Sequence, residues 1–356
     1  MTQDDRVRIV LAHFRLWDPK VSGTAPARDG GLRLLDAEGA PRWRIIPGDR
    51  PEAEFWSAIR NRGTRQVRKT AGALLLRRDL TPAETEALWR REDALDPQRA
   101  VALFALAAGE AAADEALRRP DFLILGTMKG GTTSLYDHIC RHPRVAARRP
   151  KEIHYFSLRR DLGEDWYRGF FAGKRPGELT GEASPSYFDI PRPDIPARIR
   201  AMAPRAHLFA ILADPARRAV SEYYHNLRIA RNAAPDSDFI RPQDVLTAER
   251  ARADLAAGAS YLRTGFYETR LPLWREDLDA GRMTILTQRA LKADPVAVTQ
   301  QAWAALGLSP VPLGPDKLRV LNRNSYPAPD AGLQEFLSDL YAGTVAAMQR
   351  DYGVTL

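Results

Sequence analysis

Several common features of proteins are scarce or missing in this chain of 356 residues. It has a single cysteine, Cys140, which excludes an intrachain disulfide and a thiolate metal cluster. Its histidines lack the spacing to acidic or thiol partners that is typical of metal ligands, so we expect no metal site. Lysine and arginine never alternate with aromatic residues along a stripe, which argues against nucleic-acid binding despite a formal charge of +8.

Long apolar runs are missing as well. Nowhere do about 18 apolar residues follow one another, and the start of the chain lacks the basic and apolar stretches of a signal peptide. We therefore expect a cytoplasmic protein without a membrane span. The surplus of positive charge suits an anionic ligand.

The first 118 residues contain no nucleotide-binding motif. They begin with short strand-like runs at 7–14 and 32–35, separated by turn-rich segments. Further on, from 52 to 69 and from 81 to 117, apolar residues recur at the three- and four-residue spacing of helices. We expect residues 1–118 to form a mostly helical accessory region, either a plain extension or a region that binds the acceptor or a partner.

From Pro120 onward, strand-like and helix-like segments alternate. Apolar strands are expected at 122–125, 207–212 and 283–286. The helices expected after them run from Thr132 to about Cys140, from Ala216 onward, and from Pro295 to Leu306. This alternation predicts an α/β fold for residues 119–356, with a central parallel sheet flanked by helices and with ligands at the carboxyl ends of the strands.

The segment from Asp121 to Leu135 combines an apolar strand, a glycine turn and the start of a helix. Gly126, Gly130 and Gly131 let the backbone approach a ligand closely, and the first N–H groups of the helix supply partial positive charge. Lys129 adds a full charge in the same turn. The segment therefore predicts a phosphate cradle.

The nucleotide-triphosphate loop G-x-x-x-x-G-K-[ST] has the same glycine spacing but a different lysine position. Here two threonines follow Gly131, and Lys129 lies inside the loop. A kinase also needs an acidic residue that holds magnesium, and Asp214 is a candidate, although the proline after it indicates another kind of turn. A P-loop kinase stays an alternative that the position of Lys129 disfavours.

Six segments resemble, in the same order, motifs of sulfotransferases that use 3′-phosphoadenosine-5′-phosphosulfate, PAPS. They are the Lys129–Ser134 turn, Lys151–Phe156, Gly181–Phe188, Ile211–Ser221, Arg263–Tyr267 and Asn322–Pro327. The second is most similar to heparan-sulfate-type and related bacterial enzymes. The resemblance implies a P-loop-like sulfotransferase domain from Pro120 to the C-terminus. Since animal polysaccharide sulfotransferases are usually anchored in the Golgi, the missing apolar run favours a bacterial enzyme.

The resemblance also implies how the donor is held. Lys129 would neutralise the oxygen that leaves the sulfur, and PAP would be the product, with no metal required. The residues implied to hold the 5′-phosphate are those that follow it in the turn, Gly130, Gly131, Thr132, Thr133 and Ser134.

Two side chains are candidates for the general base that takes a proton from an acceptor hydroxyl or amine. The resemblance places Glu152 beside the acceptor, and a carboxylate there can accept the proton. His154 is the second candidate, because histidine titrates near neutrality. If the segment from Lys151 were a half-buried strand, both would lie on one face, so position does not choose between them. The acceptor is a glycan or another small molecule.

The 3′-phosphate of the donor is less well provided for. Related proteins usually have an arginine two residues before Pro215 and a serine six residues after it; this chain has Ala213 and Ser221. Losing a charge-assisted contact to a phosphate costs about 1.5–3 kcal/mol, or roughly ten- to hundredfold in affinity.

Three explanations remain open for the missing arginine. Another arginine compensates, and the candidates are Arg217, Arg218 and Arg323; we favour Arg218, which matches a family arginine, together with Arg323 and Asn324 of the C-terminal loop. Alternatively, the site takes a different sulfate donor. Finally, the arginine was lost, by divergence or by deliberate substitution. Ala213 also prompts a non-enzymatic alternative, a degenerate, non-catalytic protein that binds PAP or a partner.

Overall fold

The computed structural model describes most of the chain after residue 119 and part of the chain before it. The described residues are 2–15, 18, 20–27, 31–47, 66–70, 73–77, 103, 106, 119–147, 150–171, 174, 177–231, 240–314, 318 and 326–356. The strands are β1 (Gly23–Pro26), β2 (Leu32–Leu35), β3 (Pro41–Pro47), β4 (Gln66–Thr70), β5 (Ala73–Arg77), β6 (Phe122–Gly126), β7 (Gly181–Ala183), β8 (His207–Leu212) and β9 (Met283–Thr287).

Helices dominate the later part of the chain. They are α1 (Gln3–Arg15), α2 (Thr132–Ile139), α3 (Tyr155–Leu158), α4 (Glu164–Arg168), α5 (Ser186–Asp189), α6 (Asp194–Met202), α7 (Pro215–Ala230), α8 (Ala248–Ala256), α9 (Ser260–Arg263), α10 (Arg275–Asp279), α11 (Gln288–Ala293), α12 (Pro295–Ala305) and α13 (Ala331–Tyr352). Short 3₁₀ turns lie at Arg160–Leu162, Gly169–Phe171, Pro242–Asp244, Tyr267–Thr269 and Leu271–Trp274. None of the helices described is both long and apolar enough to cross a bilayer.

The chain folds into two compact units. The first comprises Met1–Pro120, Ala146–Tyr155 and Arg159–Glu182, and the second comprises Asp121–Val145, Phe156–Leu158 and Ala183–Leu356. We expected residues 119–356 to form one domain, and the two returning segments depart from that expectation.

Aromatic packing explains why these segments return to the first unit. The ring of His13, on α1, meets the ring of Phe170 edge-on at 4.2 Å and lies 5.8 Å from that of Trp166. The backbone N–H of Ala146 also donates to the carbonyl of Leu179, which joins the two returning segments to each other. Neither contact can be read from local sequence, because both join residues far apart in the chain.

The first unit holds α1 and a five-stranded antiparallel sheet in the order β1-β2-β3-β5-β4. The strand at 32–35 is confirmed, whereas the strand-like run at 7–14 is wrong, because it lies in α1. Reciprocal bonds between Thr2 and Asp5 cap that helix: each backbone N–H donates to the other side chain, at 3.0 and 3.2 Å.

The structure describes only part of the region between 52 and 117 in which we expected helices. The expectation for 66–69 is wrong, because Gln66–Thr70 is strand β4 and pairs with β5. Leu103 and Leu106 are helical, and the other residues of 52–65 and 81–117 lie outside the described residues. A mostly helical character for residues 1–118 therefore stays a prediction.

The second unit is built on a four-stranded sheet in the order β7-β6-β8-β9. Strands β6, β8 and β9 run parallel, with Phe122 opposite His207 and Leu208 opposite Met283. Every residue of β6 is buried, as expected for a parallel strand covered by helices on both faces. The predicted α/β fold, with its three strands and the helices after them, is confirmed.

Candidate functional site

The turn that follows β6 is held by hydrogen bonds to three other parts of the second unit. The N–H of Thr127 donates to the carbonyl of Ile211 in β8 at 3.0 Å. The N–H of Met128 donates to Oδ2 of Asp189 at 2.8 Å, and Gln288 Nε2 donates to the carbonyl of Lys129 at 2.9 Å. The backbone of the turn is thus fixed by side chains and strands around it.

The glycines of the turn are needed for this geometry. A Cβ at Gly130 would lie 2.3 Å from the carbonyl oxygen of Ile211, closer than any side chain tolerates. Gly131 is the N-cap of α2, and its φ of 109° lies in the left-handed region that favours glycine. Lys129 also has positive φ, at 65°, which marks a constrained backbone at the cation.

The first turn of α2 suits an anion. No side-chain hydrogen bond caps it, and the first N–H groups of a helix have no partner within the helix. Of its hydroxyl residues, Thr132 and Ser134 are buried, whereas Thr133 is half-buried like Lys129. The residues predicted to hold the 5′-phosphate are therefore brought together in one turn.

The next strand end is organised differently. After β8, the side chain of Asp214 accepts a hydrogen bond from the N–H of Arg217 at 2.8 Å and so caps α7, with Pro215 in its first turn. Ala213 is buried, and its carbonyl accepts a bond from the hydroxyl of Tyr267 at 2.9 Å. Tyr267 is thus a core residue.

A cavity of about 640 Å³ opens beside this helix start. Its lining includes Asp214, Arg217 and Ser221 from the α7 side and Tyr326 with Pro327 from the C-terminal loop. Arg217 is exposed and forms no ion pair with any described residue, so its charge is available to a ligand. The volume accommodates a nucleotide-sized molecule.

Our preference for Arg218 as the compensating arginine is not supported. Its side chain is fully buried, forms a tight ion pair with Glu222 and donates to the carbonyl of Tyr261. Because Glu222 lies four residues further along α7, the pair closes on the inner face of the helix. Arg217, which we also considered, is the arginine that lines the cavity. Arg323 and Asn324 lie outside the described residues.

The candidate bases lie in the first unit. The ammonium group of Lys151 contacts Oε1 of Glu152, and Nε2 of His154 lies 3.5 Å from its Oε2. Burial raises the pKa of Glu152, but the hydrogen bond with His154 and the charge of Lys151 outweigh that effect and lower it to about 2. Glu152 is therefore ionised throughout the neutral range.

The segment that carries these side chains is not a strand, contrary to one interpretation of its sequence. His154 has φ of 58°, after which α3 begins, and Ile153, Tyr155 and Phe156 are all buried. A left-handed residue breaks the alternation of a strand, so Glu152 and His154 do not share a strand face; a direct side-chain contact brings them together.

A buried carboxylate supports the same segment from β7. Glu182 accepts a hydrogen bond from the hydroxyl of Tyr167 at 3.1 Å and from the N–H of Ile153 at 3.4 Å. The side chains of Glu182 and Tyr187 are buried, at 0% and 1% exposure. Glu182 thus fixes the backbone beside Glu152.

Asp189 is a residue of the candidate site that the sequence analysis missed. It ends α5, and its carboxyl accepts the Met128 N–H inside the turn after β6. Burial raises its pKa to about 7, although the Met128 bond and the charge of Arg218 act in the opposite direction. Since the contact joins residues far apart in the chain, no local pattern predicts it.

Known proteins provide independent evidence. No family model matches the chain. The heparan sulfate glucosamine 3-O-sulfotransferase 3B1 of Mus musculus is 32% identical over 190 residues, 53% of this chain and 46% of the relative. The bifunctional heparan sulfate N-deacetylase/N-sulfotransferase 2 of Homo sapiens is 31% identical over 204 residues, 54% of this chain and 22% of the relative. The chain spans about half the length of the 3-O-sulfotransferases it matches.

A solved structure is also similar to this chain. A sulfotransferase from Alicyclobacillus acidocaldarius aligns with 67% of this chain and 98% of its own, at 25% identity and a TM-score of 0.51. The fold, the lysine-bearing turn after β6 and the 3-O-sulfotransferase relatives agree with one another. In sequence and in fold, the chain is therefore similar to known sulfotransferases.

Proposed function

We propose that this protein transfers a sulfuryl group from PAPS to a hydroxyl or amine of an acceptor. The observation that carries the proposal is the turn after β6, where Lys129 stands beside the uncapped start of α2. Backbone amides and a cation fixed before the ligand arrives stabilise charge that develops during the reaction without further reorganisation.

Features of the second unit fit the donor. The 5′-phosphosulfate suits the Gly130–Ser134 turn, in which a Cβ at Gly130 would fill the space that the backbone needs. The 3′-phosphate suits the cavity beside α7, where Arg217 and Ser221 supply a charge and a hydroxyl. Arg217 would replace the charge that Ala213 lacks, with Arg323 and Asn324 proposed as further ligands.

The chemical step requires one bond to form and one to break. The acceptor oxygen or nitrogen bonds to sulfur, the bond from sulfur to the phosphate oxygen breaks, and PAP leaves with the electron pair beside Lys129. We assign the acceptor proton to Glu152, with His154 as the alternative. A carboxylate with a pKa of about 2 is ionised at neutral pH, but it is a weak base.

The pH profile separates the two candidate bases. Because the pKa of Glu152 is lowered to about 2, its protonation cannot cause a loss of kcat/KM between about pH 5 and pH 8. An acidic limb in that range that disappears in His154→Gln would transfer the base assignment to His154.

The acceptor is proposed from the relatives. Two of them are named for glucosamine or N-sulfation in heparan sulfate, which supports a glycan with hydroxyl or amino groups. A smaller hydroxyl metabolite is also compatible with the site. A bacterial, cytoplasmic setting stays a prediction.

Labelled PAPS, incubated with glycans, lipids and small hydroxyl compounds, provides the test. We expect label transfer to one class of acceptor, and a loss of about 10²- to 10⁴-fold in kcat for Glu152→Gln if it is the base. Glu249→Gln, which removes an exposed carboxylate at the start of α8, is the matched control. Near-normal turnover by Glu152→Gln would remove that residue from the mechanism.

A non-catalytic PAP-binding protein is the second candidate, and Ala213 is the observation that favours it. Such a protein would bind PAP yet transfer no label to any acceptor. A P-loop kinase is less well supported, because Asp214, its candidate magnesium ligand, is engaged as the cap of α7. ATP binding that depends on magnesium would revive that alternative.

A further inference from the structure

The carboxyl group of Asp189 lies directly against the donor-binding turn. Its Oδ2 accepts the Met128 N–H at 2.8 Å, whereas Oδ1 is buried without a hydrogen-bond partner among the described residues. The packing is close, since a Cβ at Gly126 would come within 3.4 Å of Oδ1 and 2.9 Å of the Cβ of Phe188. A buried, half-satisfied carboxyl at a phosphate-binding turn calls for an explanation.

The charged groups around Asp189 do not compensate for the burial of its carboxyl group. Arg218 and Glu222 face it from α7, but they are paired with each other. Arg270 faces it from the 3₁₀ turns and donates to its backbone carbonyl at 3.4 Å, and the buried phenol of Tyr267 adds no compensating cation. The turn itself carries Lys129. Burial prevails, and the pKa of Asp189 rises to about 7.

We propose that Asp189 is a positioning residue, which holds the donor-binding turn through Met128 and must be protonated when the phosphosulfate end of the donor binds. This inference rests on the function proposed above. An ionised carboxylate one hydrogen bond beneath the turn would place a negative charge against an anion, and like charges at close range disfavour ionisation of both. The protonated group still accepts the Met128 bond through Oδ2, and a proton on Oδ1 converts that oxygen into a neutral hydroxyl, so no charge is left at the buried atom.

The proton is therefore taken up from solvent as the donor binds and returned as PAP leaves. No bond of the substrate changes in this step. Affinity for PAP should fall as the pH rises through about 7, because a smaller fraction of the protein is in the competent form. For a strict requirement, the dissociation constant would rise about tenfold between about pH 6 and pH 8.

The test is a titration of the full-length protein with PAP at about pH 6 and about pH 8. Asp189→Asn keeps an acceptor for the Met128 N–H and removes the charge. It should bind PAP as tightly as the wild type at the lower pH, and about tenfold more tightly than the wild type at the higher pH. Asp189→Ala removes the acceptor as well and should bind more weakly than Asp189→Asn at both. Asp137→Asn, which removes a carboxylate paired with Arg141 on α2, should keep the wild-type pH dependence.

Two measurements guard against misfolding of a variant. Calorimetry of the wild type in buffers of different ionisation enthalpy should show uptake of close to one proton per PAP above about pH 7. In unfolding experiments, the raised pKa of Asp189 makes the free energy of unfolding depend on pH. The contribution of Asp189 is fully present below the pKa that this group has in the unfolded chain, and it is lost as the pH rises to about 7. Asp189→Asn should lack that loss.

The outcomes distinguish the two proposals. If the wild type binds no PAP at either pH, the donor site and the proton coupling fall together. If PAP binds and the wild type and Asp189→Asn share one pH dependence, with no proton uptake, the coupling alone is overturned. If Asp189→Ala matches Asp189→Asn in affinity, the positioning role through Met128 is wrong.

Discussion

The helices that start after β6 and after β8 both begin at the carboxyl edge of the same sheet, yet their first turns differ. Helix α2 begins at Gly131 without a side-chain cap, and the first N–H groups of a helix suit an anion. Helix α7 begins at Asp214, whose carboxylate already occupies the equivalent position and bonds to the Arg217 N–H. One helix start is open to a phosphate, and the other is filled by the protein itself.

Under the proposed function, this difference means that one nucleotide would be held in two ways. At the α2 start, the backbone supplies the charge, which demands glycines and close packing. At the α7 start, the anion must be met by side chains such as Arg217 and Ser221. Backbone sites tolerate little change, whereas side-chain sites can lose one contact and keep part of their affinity.

Removal of the cation at the open helix start should have the largest effect. Lys129→Ala is expected to lower kcat by about 10²- to 10³-fold, because a preorganised charge at the leaving oxygen is lost. Single-turnover kinetics with labelled PAPS measure the change, with Lys20→Ala, an exposed lysine of the first unit, as the control. A rise in KM with kcat unchanged would show that Lys129 only binds the donor and does not favour the transition state.

Gly130→Ala tests how strictly the backbone site depends on close approach. The new Cβ would meet the carbonyl of Ile211, so we expect the free energy of unfolding to fall by about 1–3 kcal/mol and PAP affinity to fall with it. Gly343→Ala is the contrast: open space surrounds this helical glycine, and alanine should stabilise the protein by about 0.5–1 kcal/mol. Equal effects from both would contradict the assigned role of the turn.

Arg217→Ala should affect the side-chain site more gently. The expected loss of PAP affinity is roughly ten- to hundredfold, whereas binding of AMP, which lacks the 3′-phosphate, should not change. Calorimetric titrations with both nucleotides measure the difference. A parallel loss for AMP would show that Arg217 does not contact the 3′-phosphate.

The smallest effect is expected at the cap of α7. Asp214→Asn keeps a capping side chain and removes a negative charge from the cavity, so PAP should bind about two- to fivefold more tightly at low salt. Asp214→Ala should instead lower the free energy of unfolding by about 1 kcal/mol. Urea unfolding measures the capping role of Asp214 in the two variants, and PAP titration measures the effect of its charge. Unchanged PAP affinity in Asp214→Asn would show that Asp214 is not part of the binding site.

The sequence predicted those parts of the fold and site that depend on neighbouring residues. The strands beginning at Phe122, His207 and Met283 are continuous apolar runs, and the turn after the first carries its glycines in order. The C-terminal helix α13 was missed, although its signals were present: Asp330 caps its start, and Gly353, with φ of 64°, ends it.

Other features depend on contacts between distant residues. The role of Asp189 arises from its bond to Met128, and the interior position of Arg218 from its contacts with Glu222 and Tyr261. The Glu222 partner, four residues along α7, was a readable signal for an internal ion pair. The left-handed conformation of His154 had no such signal, because histidine rarely adopts it.

The two returning segments, 146–155 and 159–182, give the chain an unusual kind of modularity. The residues from Lys151 to His154 are encoded between stretches of the sheet-bearing unit, yet they fold with the N-terminal region. Deleting the N-terminal region at residue 118, or replacing it with that of a relative, would therefore remove part of the unit into which Glu152 folds. Any change of acceptor preference by recombination of relatives would have to carry both stretches together.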